Sequence, residues 1–310
     1  MPKVDQKIYV AGHRGLVGSA IVRQLEAVGH DNWIGATRDQ FDLCDRSAVF
    51  DFMSEHKPDG VIIAAAKVGG IVANRDFPVE FLSENVQVQT NLMDAAHKFD
   101  VESLVFLGSS CIYPKFAPQP INEDSLLTGQ LEETNEAYAI AKIAGVKLVQ
   151  AYRKEFGRTW TSAMPTNLYG PGDNFDPQTS HVLPALLRKF HEASLSGAES
   201  VTLWGSGTPR REFLHVDDLA KAVLFLLQGY DEATAINVGT GVDIEIRELA
   251  NLIAEVTNFQ GSINWDKSKP DGTPRKLLDV SRINQLGWKS EILLADGIKS
   301  TYEWFVQKHS

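Results

Sequence analysis

The stretch "KIYVAGHRGLVGSAI" (7–21) constrains this chain more than any other. A short apolar run stops at Gly12, Gly15 and Gly18, spaced three residues apart, and resumes with helical periodicity. Residues without a Cβ let the backbone turn tightly and let a phosphate approach the free N–H groups that open a helix. The spacing alone is common. Its place on the first strand-to-helix turn, with strand–helix alternation behind it, points to a bound dinucleotide.

That alternation is regular. Apolar runs at 7–12, 31–37 ("DNWIGAT"), 59–66 ("DGVIIAAA") and 102–110 ("ESLVFLGSS") predict strands, and 18–30, 47–58, 81–100 and 136–157 predict helices. Strands apolar along their whole length are buried on both faces, so the expected fold is α/β, a Rossmann-type doubly wound parallel sheet. "WTSAMPTNLYGPG" (160–172) predicts a further strand running into a Gly/Pro turn. Beyond it the pattern loosens to helices at 181–193, 216–230 and 246–257, a strand at 200–205 and a charged loop at 266–276. The reading is a dinucleotide-binding domain over 1–172 and a smaller, mixed α/β substrate domain over 173–310, with the chain crossing between them.

Composition narrows the partners. At 310 residues and 43% hydrophobic content, the chain can bury one large core or two unequal ones. No apolar run approaches the roughly 20 residues of a membrane span, and the first residues lack a signal-peptide core, so a cytoplasmic protein without a membrane partner is expected. Cys44 and Cys111 are the two cysteines and build no disulfide framework. No metal site is expected. A net charge of −10 argues against a nucleic-acid partner, and an anionic ligand must meet a local cluster of Arg and Lys.

The cofactor is read from the end of the second strand, where NAD sites usually carry an acid for the ribose 2′-hydroxyl. Arg38 stands there instead, followed by Asp39, and Arg14 lies in the glycine loop. Two guanidiniums suit a 2′-phosphate, so NADP is expected. Asp42 either hydrogen-bonds the adenine amine or caps the second helix.

Tyr138 and Lys142 stand four apart on a predicted helix and share a face. A tyrosine titrates near pH 10, and a neighbouring ammonium brings its phenolate into range. Ser109, at the end of a strand, can donate to the same substrate oxygen. With the glycine loop upstream, the three read as an acid–base site.

At these residues the chain resembles the nucleotide-sugar branch of the extended short-chain dehydrogenase/reductases, and within it the GDP-L-fucose synthases. The likeness runs the length of the chain, through "GSSCIYPKFAPQPINED", "YAIAKIAGVKL", "MPTNLYGPGDNF", "SHVLPALLRKFHEA", "WGSGTPRREFLHVDDLA", "INVGTG" and "SKPDGTPRKLLDV". It implies two activities on GDP-4-keto-6-deoxy-D-mannose, epimerisation at carbons 3 and 5 and NADPH-dependent reduction of the 4-ketone, giving GDP-L-fucose. The same likeness implies catalytic roles for Ser109, Tyr138 and Lys142, with Cys111 and His181 as the pair that moves protons at the two inverted carbons. The residues do not assign which of the two is base. Cys44 is read as structural.

The resemblance further implies cofactor contacts at Gly12, Arg14, Gly15, Leu16, Val17, Gly18, Arg38, Asp42, Leu107, Gly108, Lys142, Pro165, Asn167, Leu168 and His181. Substrate contacts are implied at Val68, Gly69, Arg188, Lys189, Trp204, Arg211 and Asp271, with Asp271 on the guanine or a sugar hydroxyl. A homodimer through 81–100 and 136–157 is also implied. Two alternatives stay open: an NAD-retaining nucleotide-sugar 4-epimerase or 4,6-dehydratase, and a dinucleotide-sensing protein without turnover.

Overall fold

The structure is a computed structural model that describes residues 5–177, 179–269 and 271–309. The chain runs β1 (Ile8–Ala11), α1 (Leu16–Ala27), β2 (Trp33–Ile34), α2 (Arg46–His56), β3 (Gly60–Ile63), α3 (Ile71–Asp76), α4 (Pro78–Lys98), β4 (Ser103–Leu107) and α5 (Glu136–Phe156). It continues through β5 (Thr161–Pro165), β6 (Asn167–Tyr169), α6 (Val182–Ser196), β7 (Ser200–Trp204), β8 (Arg210–His215), α7 (Val216–Gly229) and β9 (Ile236–Val238). It closes with β10 (Asp243–Glu245), α8 (Ile246–Val256), β11 (Ser262–Asp266), β12 (Arg275–Lys276), α9 (Ser281–Gln285) and α10 (Leu294–His309).

Six parallel strands form the main sheet in the order β2-β1-β3-β4-β5-β9. β1 and β3 are buried at every residue, as a sheet covered by helices on both faces requires. The order steps outward from β1 in both directions, so the loops at the carboxyl ends of β1 and β3 open a crevice between them, where α/β sheets bind ligands. A second sheet gathers β10, β8 and β12, with β6 pairing to β8 in parallel. β7 and β11 pair separately.

The core of the first sheet draws on both halves of the chain. Leu219 and Val223 of α7, Ile236 of β9, and Leu278, Ile283 and Trp288 pack into it although all follow residue 172. A separate apolar cluster built on Phe175, Leu187, Phe190, Phe213, Ile253 and Phe305 holds the cap. Among the described residues no helix is long and apolar enough to cross a membrane.

Several elements depart from expectation, among them β8, β9, β11 and α10, which no expected element covers. The strand expected over 31–37 keeps its ladder only at Trp33 and Ile34, after which the His13 ring lies against Gly35 and the chain leaves the sheet. The charged loop expected at 266–276 ends in a strand, because Arg275 and Lys276 pair in parallel with Arg210 and Arg211 of β8. α4 begins at Pro78, ahead of the expected 81, with the proline at a helix start where its missing N–H costs nothing.

Candidate active site

The glycine loop is shaped by contact. Gly12 turns out of β1 at φ +86°, and a Cβ there would stand 2.7 Å from Ala65 N. On Gly18 it would stand 2.0 Å from Gly12 O, so α1 packs onto its own loop with no room for a methyl. Gly15 has ordinary space, 3.5 Å from Gly12 O, and is the N-cap of α1 without a side-chain cap bond. The N–H groups at Leu16 and Val17 therefore face outward from the helix start, which is what a pyrophosphate needs. The loop after β6 overhangs this point, since a Cβ on Gly172 would stand 3.4 Å from Ser19 Oγ. These residues fit a dinucleotide.

Arg14 is exposed, and Arg38 is 74% exposed and only loosely paired with Asp42 at 3.6 Å. Both guanidiniums are open to a further anion. Asp42 does not cap α2. Its Oδ1 accepts from Cys44 N at 2.9 Å, closing a turn, and the cap is Asp45, which accepts from Ser47 N and Ala48 N at 2.9 and 3.2 Å.

At the end of β4, Gly108 lies tight against Met164 and donates to Ala163 O at 2.9 Å. Ser109 then starts a short 3-10 turn, its Oγ accepting from Cys111 N at 3.2 Å. Tyr138 on α5 reaches the Ser109 hydroxyl. One turn on, Lys142 is 3% exposed and donates from Nζ to Leu107 O at 2.7 Å. Burial pushes the Lys142 pKa down to about 7. The Tyr138 phenol moves upward, through burial first and the neighbouring Cys111 second, with the Ser109 hydrogen bond opposing. Burial thus outweighs any pull of the ammonium on the phenolate. Both groups are driven toward neutrality.

Cys111 is half-buried, and its sulfur accepts from Lys276 Nζ at 3.6 Å. Across the cleft, Gly70 N donates to Thr179 O at 3.2 Å, which sets the Val68–Gly70 loop beside His181, the N-cap of α6. Gly69 is close-packed on Phe81, whose ring stands edge-on to Tyr138 at 6.4 Å. His181 is reachable by solvent yet crowded by protein atoms, and the crowding lowers its pKa. Pro165 is buried at the end of β5, Leu168 is half-buried, and Asn167 Nδ2 donates to Glu212 O at 2.8 Å. Cys44 lies elsewhere, against Asp42 and Glu84.

Strand alternation sorts the basic residues of the cap. Arg210 and Arg275 share one face and both bond to Asp243. Arg211 and Lys276, paired in register, point to the other face. Arg211, Lys276 and Lys189 have Arg210 O, Cys111 Sγ and Thr202 O as partners, none of them a carboxylate. Burial lowers the Arg211 pKa, the mark of a charge lacking its anion. Arg188 turns away to Glu192 and Phe175 O. Trp204 is exposed at the end of β7. Asp271 accepts from Ser206 N and Oγ on its two oxygens, at 2.6 and 2.8 Å, so its carboxylate fastens the 271–274 loop to β7's end.

The sequence reading missed several supports. Asn74 Nδ2 donates to Gly69 O and Gly70 O, Asn85 Oδ1 accepts from Lys67 N, and Glu212 binds three segments, at 166–167, 240–241 and 278. Lys276 falls in the charged loop expected at 266–276, and nothing in that stretch points to Cys111. No local pattern marks any of them, because each acts on a distant part of the chain.

Known proteins agree with this geometry. The family model for NAD dependent epimerase/dehydratase matches residues 8–239. GDP-L-fucose synthase 1 of Arabidopsis thaliana is 57% identical over 99% of this chain and 95% of its own length. GDP-L-fucose synthase of Escherichia coli (strain K12) is 55% identical over 97% of each. The solved GDP-mannoheptose C4 reductase from Campylobacter jejuni, with NADP bound, superposes with a TM-score of 0.92 at 37% identity, covering 99% of this chain and 100% of that one. The chain belongs to the NAD dependent epimerase/dehydratase family, and within it to the branch of the GDP-L-fucose synthases.

Proposed function

We propose that this protein is an NADPH-dependent GDP-4-keto-6-deoxy-D-mannose 3,5-epimerase/4-reductase, forming GDP-L-fucose. One observation carries the reading: a thiol, Cys111, sits beside the Ser109–Tyr138 hydrogen bond with an ammonium on its sulfur. A simple reductase has no use for a thiol there.

The substrate ketone oxygen lies between Ser109 and Tyr138. The carbonyl acidifies the protons on its flanking carbons, and each inversion places negative charge on that oxygen. Two preset donors stabilise it both times. Cys111, next to this oxyanion site, takes a proton from carbon as base, and His181 on the facing wall returns one from the other side. Burial keeps the Tyr138 phenol protonated at neutral pH, the state in which it donates to the oxygen during reduction. Bound NADPH supplies the hydride to the carbonyl carbon. Reduction removes the carbonyl that acidifies the neighbouring protons, so epimerisation comes first.

The glycine loop with Leu16 and Val17 receives the pyrophosphate, and Arg14 and Arg38 the 2′-phosphate. Asp42 faces the adenine, while Leu107, Gly108, Pro165, Asn167 and Leu168 line the nicotinamide end with Lys142. Arg211 and Lys189 take the substrate diphosphate, with Trp204 against the base and Val68 and Gly69 along the sugar. Arg188 and Asp271 support these contacts through α6 and the 271–274 loop. α4 and α5 pack together and expose Val79, Leu82 and Ile140, the face for a homodimer in a cytoplasmic setting.

The test incubates the protein with NADPH and substrate in heavy water. The reading expects one NADPH oxidised per sugar and deuterium at carbons 3 and 5 of GDP-L-fucose by NMR. Turnover of a nucleotide sugar with NADPH untouched would favour the cofactor-retaining 4-epimerase instead.

A further inference from the structure

Glu212 is fully buried on β8, and its carboxylate has no cation within ion-pair distance among the described residues. A carboxylate out of water without a counter-charge is expensive, so the groups that hold it deserve an account. Oε1 accepts from Thr240 N and Gly241 N, both at 2.7 Å. Oε2 accepts from Leu278 N at 3.0 Å. Gly239 must be glycine for this approach, since a Cβ there would stand 2.2 Å from Oε1. The main-chain oxygen of Glu212 accepts from Asn167 Nδ2.

Leu278 follows Lys276 by two residues, and β12 is only two residues long. The same stretch is also tied by the β12–β8 ladder, by Gln119 Oε1 accepting from Leu277 N at 2.8 Å, by the Ile121 N–H donated to Leu277 O and by the Asp279 N–H donated to Ile121 O. Of these ties only the Glu212 carboxylate is a charged group, and it anchors the C-terminal side of the short segment that carries the Lys276 ammonium to the Cys111 sulfur.

We propose that Glu212 is a positioning residue: its buried carboxylate holds Lys276 against Cys111, so that proton transfer at the sugar carbons depends on it more than hydride transfer does. Lys276 balances the charge left on the sulfur when the thiol gives up its proton. This rests on Cys111 being the proton carrier. Glu212→Gln isolates the effect. The amide oxygen can serve the two N–H groups at Oε1, but its NH2 then faces Leu278 N–H, donor against donor, and the segment bearing Lys276 is pushed off.

The experiment uses the full chain in a Cys44→Ser background, where Cys111 is the one thiol. It measures iodoacetamide alkylation of Cys111 against pH without substrate, then deuterium exchange into the ketosugar and NADPH oxidation with it. Glu212→Gln is expected to move the alkylation midpoint to higher pH and to slow exchange about ten-fold, the scale of one lost buried hydrogen bond to a charged group. Lys276→Gln, which leaves the Glu212 contacts intact, should do the same. KM for NADPH should change less than two-fold. If Tm falls while the alkylation profile and the ratio of exchange to reduction stay at wild-type values, Glu212 is structural only and the proposal fails. A shifted alkylation profile with unchanged exchange also overturns it, and does so by removing Cys111 as proton carrier.

Discussion

Around the phosphate loop the site is made of backbone. Gly12 and Gly18 are defined by the atoms a methyl would strike, and the amides they expose belong to a helix start already buried against the sheet. In the cap the site is made of long charged side chains on short strands, where neighbouring arginines on β8 face opposite ways. The first region is committed to its shape by packing before any ligand arrives. The second carries Arg211, Lys189 and Lys276 with no carboxylate partner.

Mutations in the two regions should separate accordingly. Lys142→Met gives the largest effect, with NADPH oxidation expected to fall on the order of a thousand-fold. The same change should stabilise the unliganded protein. The Lys142 pKa of about 7 lies below the ordinary lysine value, so its burial cost is fully present below pH 7 and fades as pH rises toward 10.5. Chemical denaturation should show a gain on the order of 4 kcal/mol larger at pH 6 than at pH 10. Equal gains at both would contradict the burial account.

Gly18→Ala comes next. Its methyl meets a backbone oxygen with no freedom to move, so NADPH affinity by titration should fall about a hundred-fold, with Tm lowered as well. Gly15→Ala, with room for its methyl in the free protein, should weaken NADPH while leaving Tm near wild type. In the cap, Arg211→Ala should raise KM for the GDP-sugar about ten-fold, the value of a charged contact to phosphate. Arg210→Ala, already neutralised by Asp243, should change it less than two-fold. The smallest effect is Asp45→Ala, which removes the α2 cap and should cost about 1 kcal/mol by urea denaturation without changing KM for either ligand.

The same contrast explains what was legible in the sequence. The glycine spacing, the buried strands and the Tyr138–Lys142 interval are local patterns, and the structure follows them to within a few residues at most element ends. In the sequence Asp42 is open to a cap role, but it turns onto Cys44 N, and Asp45, which the sequence reading did not single out, caps α2. The pairing of β12 with β8, the Glu212 hub and the Lys276–Cys111 contact join residues far apart, the last spanning 165 positions. Their partners are set by topology, so no window of sequence contains the signal. Which of the adjacent Arg210 and Arg211 is free of a carboxylate is likewise set by the strand faces, not by the sequence around them.

The central claim is that one carbonyl site serves two reactions and that Cys111 belongs to only one of them. Cys111→Ser, incubated with substrate and NADPH in heavy water, tests this most directly. The account predicts continued NADPH oxidation, with a product carrying protium at carbons 3 and 5 and the substrate's own configuration there. Deuterium at both carbons with wild-type inversion would show that the thiol moves no proton and would contradict the account.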